Sequence, residues 1–407
     1  MQASRAESHP VTADVTGRPA LLVYSQHSVG LGHLVRSLSV AEALAGLFRV
    51  VLVSGGPVPP GLIVPPSVEL VALDPIGARG GADATLASLD RELTLEQAWN
   101  RRLDTLLNLL TALGPAALVV ELFPLGRRKF AREIIPLLEH ARSLDEPPAI
   151  VCSVRDILVA GGPDQQAKDD DAAERLNRHF DALLVHGDPS VARLEDTFRP
   201  AVTLRVPIHY TGYVVPRRER LRHLPHQPPE ILVSAGGGKV GAELLRCAAD
   251  AHRDHFAPRG LRTRLVTGPF LADEDVTALT ALSAECPGLS VERFIPDLAT
   301  AMAAATASIS QCGYNTALDI VRSGVPSIVV PHDEGRETEQ AARATRLADL
   351  GVLRIVRSAQ LSPQRLADEV TSLLAAPRRD VTIDLDGART SARLVAELVT
   401  RIPARST

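Results

Sequence analysis

One unit repeats along this sequence: a short apolar run, a glycine-rich or polar break, then a segment with helical spacing, beginning at Leu21. Such runs alternating with helical stretches predict βα units, and βα units build parallel sheets with helices on both faces. In the first half the expected strands are residues 20–24, 50–54, 69–73, 117–120, 149–153 and 182–185. Helices are expected over 34–45 and 95–113, the second stopped by Gly114-Pro115. Between residues 214 and 228 the rhythm fails, and Pro216, Pro225, Pro228 and several arginines replace apolar periodicity, as in a linker. It resumes with strands expected at 230–233, 262–266, 289–293, 307–310, 327–330 and 353–355. The prediction is an α/β chain of two Rossmann-like, doubly wound domains at 19–215 and 230–386. A disordered tail at 1–18, a linker at 216–229, and a C-terminal helix with a tail at 387–407 complete it. The 407 residues suit two cores, since one core serves about 150 to 200 residues.

Composition removes several function classes. A net charge of -4 gives no basic footprint for nucleic acid. Cys152, Cys247, Cys286 and Cys312 are too scattered for a zinc or redox motif and are expected reduced and packed. The most apolar stretch, 103–123, is broken by Asp104, Asn108, Gly114, Pro115 and Glu121, whereas a spanning helix needs about 20 nearly unbroken apolar residues. Residues 1–20 lack an apolar core and contain Pro10 and Pro19, so no secretory signal is expected. A cytoplasmic protein follows as the expectation, with no transmembrane segment.

In open α/β sheets, ligands bind at the carboxyl ends of the strands. The first such end reads Gly30-Leu31-Gly32-His33-Leu34-Val35-Arg36. Gly30 and Gly32 permit close backbone approach, and His33 at the helix entrance has the ordinary pKa, near 6.5, of a general base. Arg36, one turn on, suits a phosphate or carboxylate. A structural turn capped by His33 is the alternative. Glu121, Arg155, Asp156 and His186-Gly187-Asp188 fall at other strand ends of the same domain; each singly reads as a loop cap or a local salt bridge, and together they suggest a polar acceptor pocket. Arg127-Arg128-Lys129 reads as a solvated face.

In the second domain a strand runs into Gly236-Gly237-Gly238-Lys239, a loop able to fold over a phosphate or simply to turn, without the Walker spacing. Further on, Gly313 turns the chain after a strand, Asn315 and Thr316 open a helix whose free N–H groups suit a diphosphate, and Asp319 is placed to accept ribose hydroxyls.

At these residues the sequence resembles the inverting GT-B glycosyltransferases of family 28, over roughly residues 21–352 and most specifically over 294–340. The family's Phe-Ile-x-Asp near the nucleobase reads Phe294-Ile295-Pro296-Asp297. Its Ser-Gly turn and ribose-binding Glu match Cys312-Gly313 and Asp319, and its sugar-contacting Gln matches Gln340 after Glu339, with Arg343 in place of an Asn. The Gly-x-Gly-His-x-x-Arg loop is also similar to that of the UDP-sugar hydrolase of pseudaminic acid synthesis. Residues 123–128 and 153–156 look like a group of bacterial proteins called predicted glycosyltransferases.

The resemblance implies two domains facing a central cleft and an inverting, metal-independent transfer of a sugar from a UDP or dTDP type donor to a small-molecule or lipid-linked acceptor. No cofactor is expected, the nucleotide-sugar being a co-substrate, and peripheral membrane contact is compatible with it. A hydrolase using water, or a non-catalytic nucleotide binder, are the alternatives.

Overall fold

The computed structural model describes residues 17–27, 32–58, 62–79, 85–158, 164–215, 221–238, 240–332, 339–377 and 381–401. Its first sheet is formed by β1 (Ala20–Ser25), β2 (Arg49–Ser54), β3 (Val68–Ala72), β6 (Ala117–Glu121), β7 (Ala149–Arg155), β8 (Ala182–His186) and β9 (Ile208–Tyr210). Their order is β3-β2-β1-β6-β7-β8-β9, with every pairing parallel. An antiparallel hairpin, β4 (Ile76–Arg79) with β5 (Thr85–Ser88), interrupts the βα rhythm. The second sheet comprises β10 (Glu230–Ser234), β11 (Arg262–Val266), β12 (Leu289–Glu292), β13 (Ala307–Ser310), β14 (Ser327–Val329) and β15 (Arg354–Ile355). Its order is β12-β11-β10-β13-β14-β15, again all parallel.

The helices of the first domain are α1 (Gly32–Leu44), α2 (Leu95–Leu113), α3 (Ala131–Ser143) and α4 (Gln165–His179). Those of the second are α5 (Ala242–Ala251), α6 (Asp273–Glu285), α7 (Leu298–Ala304), α8 (Tyr314–Ser323), α9 (Glu339–Asp349) and α10 (Pro363–Ala375), and α11 (Gly387–Arg401) follows. Because helices cover both sheet faces, central strands are apolar on both sides, and all five residues of β6 and of β8 are buried. Two cores result in each domain. In the first, Trp99, Leu106, Ile134 and Leu176 pack under one face and Leu34, Leu38, Ala388 and Val395 under the other. The bounds of α2 match expectation because both ends are chemically marked: Thr94 and Gln97 form a capping box, and Gly114 ends the helix at φ 49°.

The chain crosses between domains twice. Residues 211–215 lead out and 381–387 lead back beside them, with Tyr213 N donating to Asp384 O (2.8 Å) and Gly387 N to Tyr213 O (3.0 Å). A Cβ at Gly387 would lie 2.3 Å from Gly212 O, so this crossing demands glycine. Helix α11 then returns to α1, and the last helix completes the first domain although it follows the second. The expected linker is only partly a free connection: Leu221 N and Leu224 N donate to Arg322 O and Ala303 O, fastening residues 221–224 to α8 and α7. Residues 216–220 lie outside the described residues. The hairpin and β9 lay outside the sequence reading: Ile76–Arg79, Thr85–Ser88 and Ile208–Tyr210 hold no continuous apolar run. Among the described residues no helix is long and apolar enough to cross a membrane.

Candidate functional site

Each sheet reverses its winding at a defined place, between β1 and β6 in one and between β10 and β13 in the other. Ligand crevices open at such switch points. The two crevices face each other: a Cβ at Gly32 would stand 3.1 Å from Asn315 Nδ2 of the opposite domain. Between them lies a cavity of about 320 Å³. Gly32, His33, Arg36 and Arg155 line one wall; Gly236, Gly237, Gly238, Gln311, Gly313, Tyr314, Asn315, Thr316 and Gln340 line the other. A larger cavity of about 730 Å³, lined by Ile320, Val325, Leu353 and Ile383, sits away from both glycine loops and holds none of these polar groups.

On the first wall, Glu121 ends β6 and is fully enclosed. Its Oε1 accepts from His33 Nδ1 at 2.6 Å and from Arg36 Nη2. Burial alone would raise the carboxyl, but the His33 ring and the guanidinium groups of Arg36 and Arg127 bring it down to about 2. Burial also lowers the imidazole of His33 below its ordinary value, outweighing the pull of Glu121. Near neutrality His33 is therefore uncharged, holds its proton on Nδ1 toward Glu121, and leaves its other ring nitrogen free. The backbone around Glu121 is unusual, with Leu122 and Arg127 at φ 65° and 55°. Non-glycine residues in the left-handed region concentrate where side chains must be aimed.

On the second wall, no side chain caps the start of α8, so its first N–H groups open into the cavity. Gly236 and Gly238 have φ of 60° and 87°, and a Cβ at Gly238 would lie 2.3 Å from Thr267 O. Gly236 and Gly238 are thus conformational requirements, and they fold the loop against Gly268 and over the Thr316 hydroxyl. Gln340 Oε1 accepts from Cys312 N (3.1 Å) and His332 N (3.3 Å), bracing the Cys312-Gly313 turn.

Other expected site residues take different places. Asp156 and Glu339 each reach an arginine of the opposite domain, Asp156 Oδ1 meeting Arg343 Nη2 at 3.2 Å and Glu339 Oε2 meeting Arg155 Nη2 at 2.7 Å, while Glu339 Oε1 meets Arg343 Nη2 on its own helix at 2.6 Å. Asp156 also accepts from the Tyr213 hydroxyl (3.0 Å), so this residue ties the domains together and lies outside the cavity wall. Asp319, half-buried on α8, does not reach the cavity wall either; burial raises its carboxyl to about 7, against the opposing effect of Arg322. Phe294 is exposed and Ile295 half-buried after β12, on the C-terminal domain but off the cavity. Gly30 and Lys239 lie outside the described residues.

Several site residues were missed. Tyr314 opens α8 with its ring between two guanidinium groups, Arg36 of one domain at 5.5 Å and Arg343 of the other at 5.4 Å. Arg127 and Arg128, expected on a solvated face, are turned inward, and only Lys129 is exposed. The burial cause is local: the left-handed turn at Arg127 directs its side chain toward Glu121. His186 accepts no ligand role here. It bonds Ser153 Oγ (2.7 Å) and Thr211 Oγ1 (3.0 Å), and burial drops its pKa to about 3. Gln26, just after β1, is braced by Arg102, which is fully buried against the rings of Trp99 and Phe130. Arg102 reaches Gln26 Oε1 (2.7 Å), Gly55 O (2.6 Å), Asp74 O (2.8 Å) and Glu133 Oε2 (2.8 Å). A lone arginine within an amphipathic helix gave no sequence signal for this.

Known proteins match this arrangement. The N-acetylglucosamine transferase named for UDP-N-acetylglucosamine and pyrophosphoryl-undecaprenol from Methylobacterium radiotolerans is 32% identical over 237 residues, 55% of this chain and 60% of that protein. Its namesake from Rhodopseudomonas palustris is 32% identical over 41% of this chain and 46% of that protein. The chain thus spans about half the length of the curated relatives it matches. Among solved structures, the calicheamicin glycosyltransferase CalG4 superposes with a TM-score of 0.57 at 20% identity, covering 94% of each chain. MurG of Acinetobacter baumannii gives 0.51 at 18%, covering 95% and 96%, and the spinosyn rhamnosyltransferase SpnG with thymidine diphosphate gives 0.54 at 16%, covering 94% and 97%. These likenesses establish the GT-B fold, and residues 232–397, which hold the C-terminal-domain wall of the cavity, match the glycosyltransferase family 28 C-terminal domain.

Proposed function

We propose that the protein transfers a sugar from a nucleotide-sugar, of the UDP or dTDP type, to an acceptor hydroxyl, with inversion and without a metal. The carrying observation is the opposition, across one cavity, of a neutral histidine seated on a buried carboxylate and an uncapped helix N-terminus beside a glycine loop. The diphosphate fits the N–H groups of α8 and the loop at Gly236–Gly238, which supply positive potential where charge develops on the leaving group. The acceptor oxygen attacks the anomeric carbon from the side of His33, the bond from that carbon to the phosphate oxygen breaks, and the acceptor proton passes to the free ring nitrogen of His33. Glu121 stabilises the imidazolium so formed. The names of the curated relatives and the thymidine diphosphate held by SpnG support a nucleoside diphosphate leaving group.

The test is nucleotide release from a panel of UDP- and dTDP-sugars, with and without candidate acceptors, by the wild type and by His33→Ala. Acceptor-dependent release that falls by about 10²- to 10⁴-fold in the variant is expected, the usual worth of a general base. Release that ignores acceptors assigns the site to a hydrolase, and tight binding without turnover by the wild type rejects both.

A further inference from the structure

Tyr314 stands where the two walls of the cavity meet. It is the first residue of α8, yet its side chain reaches the N-terminal domain, where its hydroxyl donates to His186 O at 3.2 Å. Three groups pack against its ring: the Arg36 guanidinium at 5.5 Å, the Arg343 guanidinium at 5.4 Å, and the ring of Tyr213 from the crossover, with centroids 5.9 Å apart. Burial pushes the phenol well above its ordinary value, so the side chain stays a neutral hydroxyl at working pH. Arg36 needs such a support. Its Nη2 meets Glu121 Oε1 and stands 3.2 Å from His33 Nδ1, while its Nε has no hydrogen-bond partner among the described residues. A guanidinium held on a carboxylate by one nitrogen lacks the bidentate geometry that fixes an arginine in one plane. The ring supplies a second restraint, because an aromatic face attracts a cation most strongly where water is excluded, and Arg36 is only 5% exposed. The same cation sits beside the base. Around His33 stand Glu121 from β6, Arg36 from its own helix and Arg127 from the turn after β6, with Arg155 from β7 and Tyr314 from α8 on the same cavity. Burial depresses the imidazole most, Glu121 opposes that, and Arg36 and Arg127 add to the depression.

We propose that Tyr314 is a positioning residue: its ring, carried by the opposite domain, holds the Arg36 guanidinium against Glu121 and so keeps the His33–Glu121 pair in its working arrangement. This rests on the reading of His33 as the base and of α8 as the helix that faces the leaving group. Without the ring, Arg36 loses its second restraint and water reaches the pair, and each change lets His33 bind a proton at higher pH. A protonated His33 has no lone pair for the acceptor's proton. The helix that receives the diphosphate therefore also keeps the base neutral, through one cation lying between a ring of the second domain and a carboxylate of the first.

Nitrogen NMR of the histidine rings follows His33 in the full chain, its signal identified by its loss in His33→Ala. The wild-type ring should take its proton only below the ordinary histidine range, and Tyr314→Leu should take it at higher pH. Tyr314→Phe keeps the ring and should titrate with the wild type. Tyr314→Met, unbranched and adaptable, serves if the leucine variant does not fold. In nucleotide release, Tyr314→Leu should lower kcat about tenfold, the worth of a cation–π contact away from water, and move the acid limb to higher pH. Donor KM should change by less than about twofold, and Tyr314→Phe should recover most of the lost kcat. A His33 titration that coincides in the wild type and the ringless variants, a phenylalanine variant that shifts as far as the leucine one, or a loss confined to KM overturns the proposal. If the wild type releases nucleotide from no sugar donor, the transferase reading fails separately, and the ring titrations still decide whether Tyr314 governs His33.

Discussion

Glu121 sets the protonation of the site. Its negative charge raises the pKa of His33, while burial lowers it by more, so the imidazole is neutral at pH 7 and protonates only below its ordinary range. Activity that needs neutral His33 is therefore lost on the acid side as pH falls through that lowered value. In Glu121→Gln the supporting charge disappears and burial acts unopposed, so the acid limb of the pH profile should move to still lower pH. Turnover should drop about 10²-fold or more, because the imidazolium formed in the transition state loses its counter-charge. A pH profile of nucleotide release checks both; an acid limb that stays in place while turnover falls would show that Glu121 acts only by holding geometry. His33 and Glu121 were each legible in the sequence as polar residues at strand ends. Their pairing was not, since 88 residues separate them and only the adjacency of β1 and β6 brings them together.

At the scale of elements, the C-terminal-domain wall of the cavity, where we propose the donor binds, depends on one strand-to-helix loop. Gly238 sits at φ 87° with its missing Cβ directed at Thr267 O, 2.3 Å from where that carbon would be. Gly238→Ala must move the loop away from Gly268 or strain it by roughly 1–3 kcal/mol. Nucleoside diphosphate binding should weaken about tenfold or more while the pH response governed by His33 persists, which equilibrium binding of UDP or dTDP measures. Unchanged affinity would remove this loop from the donor site. The strand-loop-helix elements were readable because their signals are local: apolar runs, glycines, and caps such as Thr94 and Gly114. The orientation of Arg127 was unreadable because a left-handed turn at a non-glycine residue has no signature in composition. The inward turn of Arg343, where an Asn was expected by resemblance, likewise depends on a partner on another domain.

For the whole molecule, the relation between the two domains rests on a chain of charges, buried at Arg343 and Asp156 and half-buried at Arg155 and Glu339: Arg155 to Glu339 to Arg343 to Asp156, crossing between domains at the first and last links. Arg343 also donates to Cys312 O at 3.2 Å, and Asp156 accepts from Tyr213 where the chain crosses, so the cluster joins the Cys312-Gly313 turn, the N-terminal domain and the crossover. A second interdomain pair, Arg346 with Asp196 at 3.0 Å, is about half exposed. Their energies should differ sharply. Exposed pairs contribute about 0–1 kcal/mol and fade with salt, whereas removing one partner of a buried pair leaves an uncompensated charge at a cost of roughly 3–5 kcal/mol. Arg343→Met should therefore lower the thermal midpoint by several degrees at both low and high salt, and Arg346→Ala should barely move it at either. Because the main cost is the stranded charge, the double variant Asp156→Asn with Arg343→Met should recover more than half of the loss. Asparagine also keeps an oxygen for Tyr213. Calorimetric scans of the wild type, Arg343→Met, Asp156→Asn and the double variant test this as a double-mutant cycle. A midpoint of Arg343→Met equal to the wild type, or a double variant no better than the single, would mean that the covalent crossover at 211–215 and 381–387 holds the domains without the charge cluster.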